Sequence, residues 1–290
     1  MSLLARVNLI LGVAFVLGVG ISAYVARNIL QDEAKREGLE TVQLMLASAA
    51  ATRDYTRDEI APILTQHVAQ KFLPQMVPSY SAHSYVERLR ADHPALVYRE
   101  ATLNPTNPGD RVTDWEADIV NQFRSNASLK EITGERNTPL GPTLYLARPI
   151  KVSSPACLQC HGTAAGAPVT MTAVYGKSNG FGWQPGEIIG SQIMSVPMAS
   201  ALAKADHNFQ VFLSALVGIF VIVFVLVNVM FSVLVLRPIT RMAQISEQVS
   251  NGDLSGPGFE PTGNDEIAQL GRSFERMRKS LVKSVEMLGG

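Results

Sequence analysis

Two stretches of the chain carry no charge and almost no polarity. Val7–Ala26 supplies about 20 residues, enough at 1.5 Å per residue to cross a hydrocarbon core of about 30 Å. Arg6 and Arg27 bracket it. From Phe209 to Leu236 the chain is more uniformly apolar, and LSALVGIFVIVFVLVNVMFSVLVL is interrupted only by Ser and Asn. At about 28 residues it exceeds the core thickness and must tilt or project. Both stretches predict transmembrane helices. A cleaved signal peptide is the other reading of the first, but its cut would fall near Tyr24-Val25-Ala26, and Tyr is a poor residue three before a cut. An uncleaved anchor is expected.

The spans leave a middle domain over 28–207 and a tail over 237–290. Leu39, Val42, Leu46 and Ala49 or Ala50 recur at helical spacing within Asn28–Ala51. A second helix is predicted over Asp54–Phe72, with Ile60, Leu64, His67, Val68 and Phe72 on one face. A third is predicted over Ala82–Ala91, with His83, Val86 and Leu89 on one side. TLNPTNPGDRVTD reads as loop from its Asn-Pro and Pro-Gly steps, and Trp115–Arg124 resumes helical spacing. After Thr138 the strings TLYLARPIKV, VTMTAVYG and GEIIGSQIMSVPM read as strands. Helices followed by strands predict an α+β domain with helices against an antiparallel sheet.

In the tail, Met242, Ile245 and Val249 mark one amphipathic helix. Ile267, Leu270, Phe274, Met277 and Leu281 alternate at steps of three and four in another, a two-heptad seam. Neither helix is long enough to stand alone, so a dimeric four-helix bundle is expected.

Composition sharpens this picture. Of 290 residues, 47% are hydrophobic and only 17% charged, against about 25% in soluble proteins. A net charge of zero argues against a general nucleic-acid binder, which needs a basic excess. Basic residues near the membrane do not set the orientation. Arg6, Arg237 and Arg241 lie at the outer ends and Arg27, Lys35, Arg36 and Lys204 at the inner ones, and long loops cross membranes largely regardless of charge.

The two cysteines of the chain stand together in Cys157-Leu158-Gln159-Cys160-His161, a c-type haem attachment pattern. Two thiols at this spacing meet the two vinyl groups of one porphyrin as thioethers, and the following imidazole lies beneath the iron as its proximal ligand. Three other readings compete. A thioredoxin-like pair belongs at a strand-to-helix junction, whereas this one lies in SSPACLQCHGTAAGAP. Structural zinc needs four ligands, and no second cysteine or close histidine pair completes them. A disulfide across two residues would be strained. Covalent haem is attached outside the cytoplasm, so the middle domain is expected to be periplasmic, with both termini cytoplasmic, in a bacterial inner membrane.

DYTRDEIAPIL, VPSYSA, YREATLNPTNPGDRVTDWE, LARPIKV with CLQCHG, and YGKSNGFGWQPGEIIGSQ together resemble the PAS-like haem c-binding sensor domains of bacterial membrane proteins, over about residues 30 to 200. The resemblance implies a PAS-like sheet holding one haem c and fused to a signalling output. It also implies that a sixth iron ligand can come from the N-terminal helical region. No third cysteine exists to supply a thiolate, so His67 is the first candidate, then Met76 and His83, then Met171. His93 in a polar loop and His207 beside the membrane rank below them, and five-coordinate or water-ligated iron stays open. Arg148 or Lys151 are candidate propionate contacts, and Tyr175, Phe181 and Trp183 candidate pocket walls. The tail resembles a HAMP relay, with Pro238 just past the membrane, Gly252 in the connector, and Asp265-Glu266-Ile267 opening the second helix.

The expected function is non-enzymatic transmembrane signalling. A haem sensor of redox state or of NO, CO or O2 would relay through a homodimeric HAMP parallel coiled coil to a separate cytoplasmic partner, since no kinase, cyclase or methyl-accepting motif follows. The alternative is a membrane-anchored monohaem electron-transfer cytochrome, serving a redox partner. A haem peroxidase would need distal acid-base groups, and no Arg–His pairing of that kind is visible.

Overall fold

The computed structural model describes residues 1–253, 256–260 and 263–288. The chain divides into two units, Val25–Phe209 on the one hand and Met1–Tyr24 with the residues from Gln210 onward on the other. Helix α1 (Leu3–Tyr55) is unbroken, as a segment without proline allows. Its buried positions, Ala34, Val42, Leu46 and Ala49, form one stripe at helical spacing.

The regular helix expected over Asp54–Phe72 does not form. A π turn (Thr56–Ile60), one turn of α2 (Ala61–Leu64) and a 3-10 turn (Thr65–His67) replace it. Pro62 is the cause: its ring clashes with the carbonyl four residues back, and the helix widens so that the Ala61 N–H donates to the Thr56 carbonyl instead. A 3-10 turn at Pro74–Met76 leads to α3 (Pro78–Leu89), with Pro in its first turn and so an earlier start than the apolar spacing indicates.

Strand β1 (Val97–Thr102) and helix α4 (Asp114–Ser125) come next, then the hairpin of β2 (Ile132–Thr138) and β3 (Gly141–Lys151). Glu116 closes the start of α4 by accepting from the Thr113 N–H at 2.8 Å and hydroxyl at 2.9 Å. Beyond β3 come α5 (Cys157–His161), α6 (Val169–Tyr175) and β4 (Ile188–Pro197). VTMTAVYG is therefore a helix and not the strand its β-branched residues indicate. Met171 and Thr172 are buried while Val169 and Val174 are exposed, which is helical rather than alternating burial. The Thr172 hydroxyl also bonds back to the Val169 carbonyl.

The four strands form one antiparallel sheet in the order β1-β4-β3-β2. Tyr98, Met194 and Leu146 share one row across it. They pack against Val42, Leu46 and Ala49 of α1 and Ala82 and Val86 of α3. The next row, Arg99, Ile193 and Ala147, points the other way, as a period of two requires. On that face Ala101, Ala147 and Ile193 meet Ile119 and Phe123 of α4. Helices thus cover both faces. Where α1 crosses the end of β4, Gly38 lets Met198 approach: a Cβ there would stand 2.8 Å from its sulfur.

Two carboxylates are buried among the described residues, Glu116 of α4, which pairs with Arg99, and Glu100 of β1. Glu100 of β1 is 3% exposed and pairs with Arg53 in the last turn of α1. It also accepts from the Tyr98 hydroxyl at 2.6 Å. Burial pushes its carboxyl up, but the Arg53 charge and the bonds from Tyr98 and Arg53 outweigh this and hold it below the usual carboxylate range.

Helix α7 (Ala199–Phe231), which belongs to the other unit from Gln210 onward, continues through a second π turn (Ser232–Leu236) into α8 (Arg237–Ser250). Among the described residues two helices are long and apolar enough to cross a membrane, and their apolar parts touch where Phe15 meets Phe220 at 4.8 Å and Phe224 at 5.8 Å between ring centroids. Helix α9 (Glu266–Leu288) packs on α8 through a cluster of Met242, Ile245, Phe259, Val249, Ile267 and Phe274. Of the heptad seam, Leu270, Met277 and Leu281 remain exposed. The connector positions 254, 255, 261 and 262 and the closing Gly289-Gly290 lie outside the described residues.

Candidate haem site

Strand β3 ends in an irregularity at Ile150/Lys151, where Val152 still exchanges backbone bonds with Gly186 and Glu187. Ser154 and Pro155 then turn the chain into α5, the Ser154 carbonyl accepting from the Cys157 N–H at 3.1 Å. Cys157 and Leu158 pack on Ile150, Val152 and Ile189 together with Trp183. On this single helical turn Cys157, Cys160 and His161 occupy positions i, i+3 and i+4, which share a face. Both thiols are free and half-buried.

The His161 ring is fixed from three directions. Its Nδ1 lies 2.8 Å from the Gly180 carbonyl and 3.3 Å from the Thr106 hydroxyl. A carbonyl only accepts, so Nδ1 carries the proton and the Nε2 lone pair is available. The ring stacks on Trp183 at 3.8 Å between centroids and 12° between planes. Burial pushes the imidazole pKa down, opposed by the Gly180 carbonyl, which favours the neutral ring a metal requires.

Two backbone bonds and two bonds of the Asn104 side chain hold this wall together. Trp183 donates to the His161 carbonyl at 3.2 Å and Gly182 to that of Gly162 at 2.7 Å. Asn104 accepts from the Gly180 N–H at 3.1 Å and donates to the Phe181 carbonyl at 3.4 Å. Gly180 has φ +82°, and a Cβ there would fall 1.9 Å from the Thr106 hydroxyl oxygen, so this position takes only glycine.

The donor chemistry fits a covalently attached haem: two free thiols and an imidazole with an open Nε2 on one helical face. It fits the competing readings less well. Burial and the neighbouring Cys157 push the Cys160 thiol up, opposite to the lowered value of an exchanging thiol. Among the described residues no group of three His, Cys, Asp or Glu side chains is placed to hold a metal ion.

The remaining sequence candidates are spread over several elements. His67 is exposed at the end of its 3-10 turn. The segment behind it lies on α6, through a bond from the Thr170 hydroxyl to the Val68 carbonyl and an edge contact of Phe72 with Tyr175 at 5.7 Å. Met76 and Met171 are buried. Both ring nitrogens of His83 have partners, the Ser79 carbonyl at 3.0 Å and Asp110 at 3.6 Å. His93, Lys151 and His207 are exposed. Arg148 pairs with Glu131 at 3.2 Å. Sequence reasoning missed Asn104, Thr106 and Gly180. Their signal lay in NPTNP and SNGFGW, strings legible as loops but silent about which side chain meets His161.

Residues 31–197 match the family model described as Tll0287-like: Tll0287, and residues 230–283 match that of the HAMP domain. The chain is similar to a solved structure, the crystal structure of the cyanobacterial heme-protein Tll0287. The two share 20% identity over 56% of this chain and 95% of that one, with a TM-score of 0.45. No curated protein matches the chain significantly.

Proposed function

The chain belongs to the Tll0287-like family and carries a HAMP domain, and from that premise we propose that it is a transmembrane signalling protein whose sensor domain holds one haem c. The observation that carries this reading is His161, with Nδ1 bonded and Nε2 open beside two free thiols on the same helical turn. Cys157 and Cys160 form the thioether links and His161 is the proximal ligand. A haem held this way supplies a one-electron redox couple and, where a coordination position is open or exchangeable, a site for NO, CO or O2. His67 is the candidate for the sixth position, carried by the segment that rests on α6. Covalent attachment puts residues 28–207 in the periplasm, α1 and α7 across the inner membrane, and both ends in the cytoplasm.

The output is the HAMP domain. Leu270, Met277 and Leu281 of α9 are exposed in the single chain, and a second copy would bury them in a parallel coiled coil. A stimulus moves this assembly only as far as it binds two states of the sensor unequally. The moved helices would then engage a separate cytoplasmic partner.

Two experiments test the reading. Purified protein should keep its haem through denaturing electrophoresis and give a c-type pyridine haemochrome spectrum, and Cys157→Ala/Cys160→Ala should lose both. Spin labels on α8 and α9 should change separation between oxidised, reduced and NO- or CO-treated states. Unchanged distances in every state, with function surviving deletion of 237–290, would instead identify an electron carrier.

A further inference from the structure

One segment, Leu103–Arg111, reaches from His161 toward the end of α1. Its base is closed by the Val112 N–H on the Thr102 carbonyl at 3.2 Å. Arg99 clamps that base, donating to the Gly109 carbonyl at 2.7 Å, the Arg111 carbonyl at 3.0 Å and Glu116 at 3.2 Å. Its other side carries Asn104, bonded to Gly180, and Thr106, bonded to His161. Near the base Asp110 faces His83 of α3 at 3.6 Å. The His83 ring lies edge-on to Tyr98 at 5.3 Å, and Tyr98 donates to Glu100, the partner of Arg53.

We infer that Thr106 is a positioning residue for His161, and that the strap Leu103–Arg111 passes a change in that ring to Arg53 at the end of α1 by way of Asp110, His83, Tyr98 and Glu100. The inference rests on the proposed haem attachment. An acceptor at Nδ1–H fixes the rotation of a ligand imidazole and raises its basicity. Here that hydrogen is shared between a backbone carbonyl and the Thr106 hydroxyl, and only the second comes from a side chain. A strap clamped by three bonds from Arg99 cannot absorb a shift at Thr106 by sliding at its base. The strap instead tilts as one body about that base, and the tilt reaches the contact of Asp110 with His83. Coupling along a line of contacts is measured by reading both of its ends.

The full-length haem-loaded protein is compared with Thr106→Val, which keeps the shape and removes the hydroxyl, and Thr106→Ser, which keeps the hydroxyl. Midpoint potential is read by spectroelectrochemistry, and amide hydrogen exchange at residues 50–60 and 103–111 in both redox states. Thr106→Val should raise the potential, because the less basic ligand favours ferric iron less. It should also erase the difference in exchange between redox states at residues 50–60. Thr106→Ser should restore both. A wild-type potential and exchange difference in Thr106→Val overturns the inference, as does a wild-type protein with no redox-dependent exchange at residues 50–60. Absence of a c-type haemochrome in the wild-type protein is a separate outcome: it sinks the haem reading itself, and this inference with it.

Discussion

Replacing Arg53 with Met tests the buried charge in the sensor unit. Glu100 has a side chain 4% exposed and Arg53 one 18% exposed, so neither charge is effectively hydrated. Removing one partner of such a pair leaves the other charge buried and uncompensated, at about 3–5 kcal/mol. For a unit of this size about 1 kcal/mol shifts Tm by about 2–4 °C, so Arg53→Met should lower Tm by about 6–20 °C at pH 7. Both tryptophans, Trp115 and Trp183, lie in Val25–Phe209, so tryptophan emission reports this unit in the intact chain. The pH dependence carries a sign. In the wild type the Glu100 pKa is depressed, so the pair stabilises above the ordinary carboxylate value, and this is lost as pH falls through the lower folded one. In the variant burial acts unopposed by Arg53, and the carboxyl takes up a proton at milder acidity. The gap between variant and wild type should therefore narrow as pH falls from 7 toward 4, and Arg53→Met/Glu100→Gln should recover most of the loss at pH 7. A gap below about 1 kcal/mol at pH 7 would refute the burial argument, and a gap independent of pH would refute the electrostatic one.

Three further outcomes are expected. Gly180→Ala strains a left-handed backbone and drives a methyl into Thr106; it should destabilise the unit by more than about 1 kcal/mol and broaden the EPR signal of the proposed ferric haem. Phe123→Ala empties a fully buried site between α4 and the sheet and should cost about 3–5 kcal/mol in chemical denaturation. Leu270→Asp places a charge on the exposed seam of α9; it should convert the proposed dimer to monomer in analytical ultracentrifugation of detergent-solubilised protein, while leaving the melting of the sensor unit unchanged.

What the sequence displayed depended on how local the cause was. The apolar stretches, α4 with its Thr113–Glu116 closure, and strands β3 and β4 are set by residues within their own span. Strand β1 was not legible, because Arg99 and Glu100 look like surface charges. They are paired by Glu116 and by Arg53, 17 and 47 residues away in the chain. Edge strand β2, ITGERNT, has no apolar alternation by which a strand is recognised. Helix α6 was misread because β-branched residues suit either state and tertiary packing decided. The thiols and His161 were legible as a motif. The wall behind His161 was not, since Asn104, Thr106 and Gly180 come from two distant loops.

Two prolines show how such local causes scale up to the relay. Pro62 and Pro238 each stand two residues beyond a π turn, Thr56–Ile60 and Ser232–Leu236. In each the N–H just before the proline bonds five residues back, Ala61 to Thr56 and Arg237 to Ser232. A π turn adds one residue to a helix and so rotates every later side chain by about 100° relative to an uninterrupted one. At Pro238 this separates the apolar surface of α7 from the face of α8 that carries Met242 and Ile245 to α9. At Pro62 it separates the stripe of α1 that grips the sheet from the segment that rests on α6. Each long helix can therefore present a face suited to its surroundings on either side of the turn. Neither the membrane nor the sheet dictates the orientation of the segment beyond it. On the proposed relay, a rotation or shift of α7 would reach α8 through this turn, whose hydrogen-bond register departs from the α pattern, and π turns are places where helices kink.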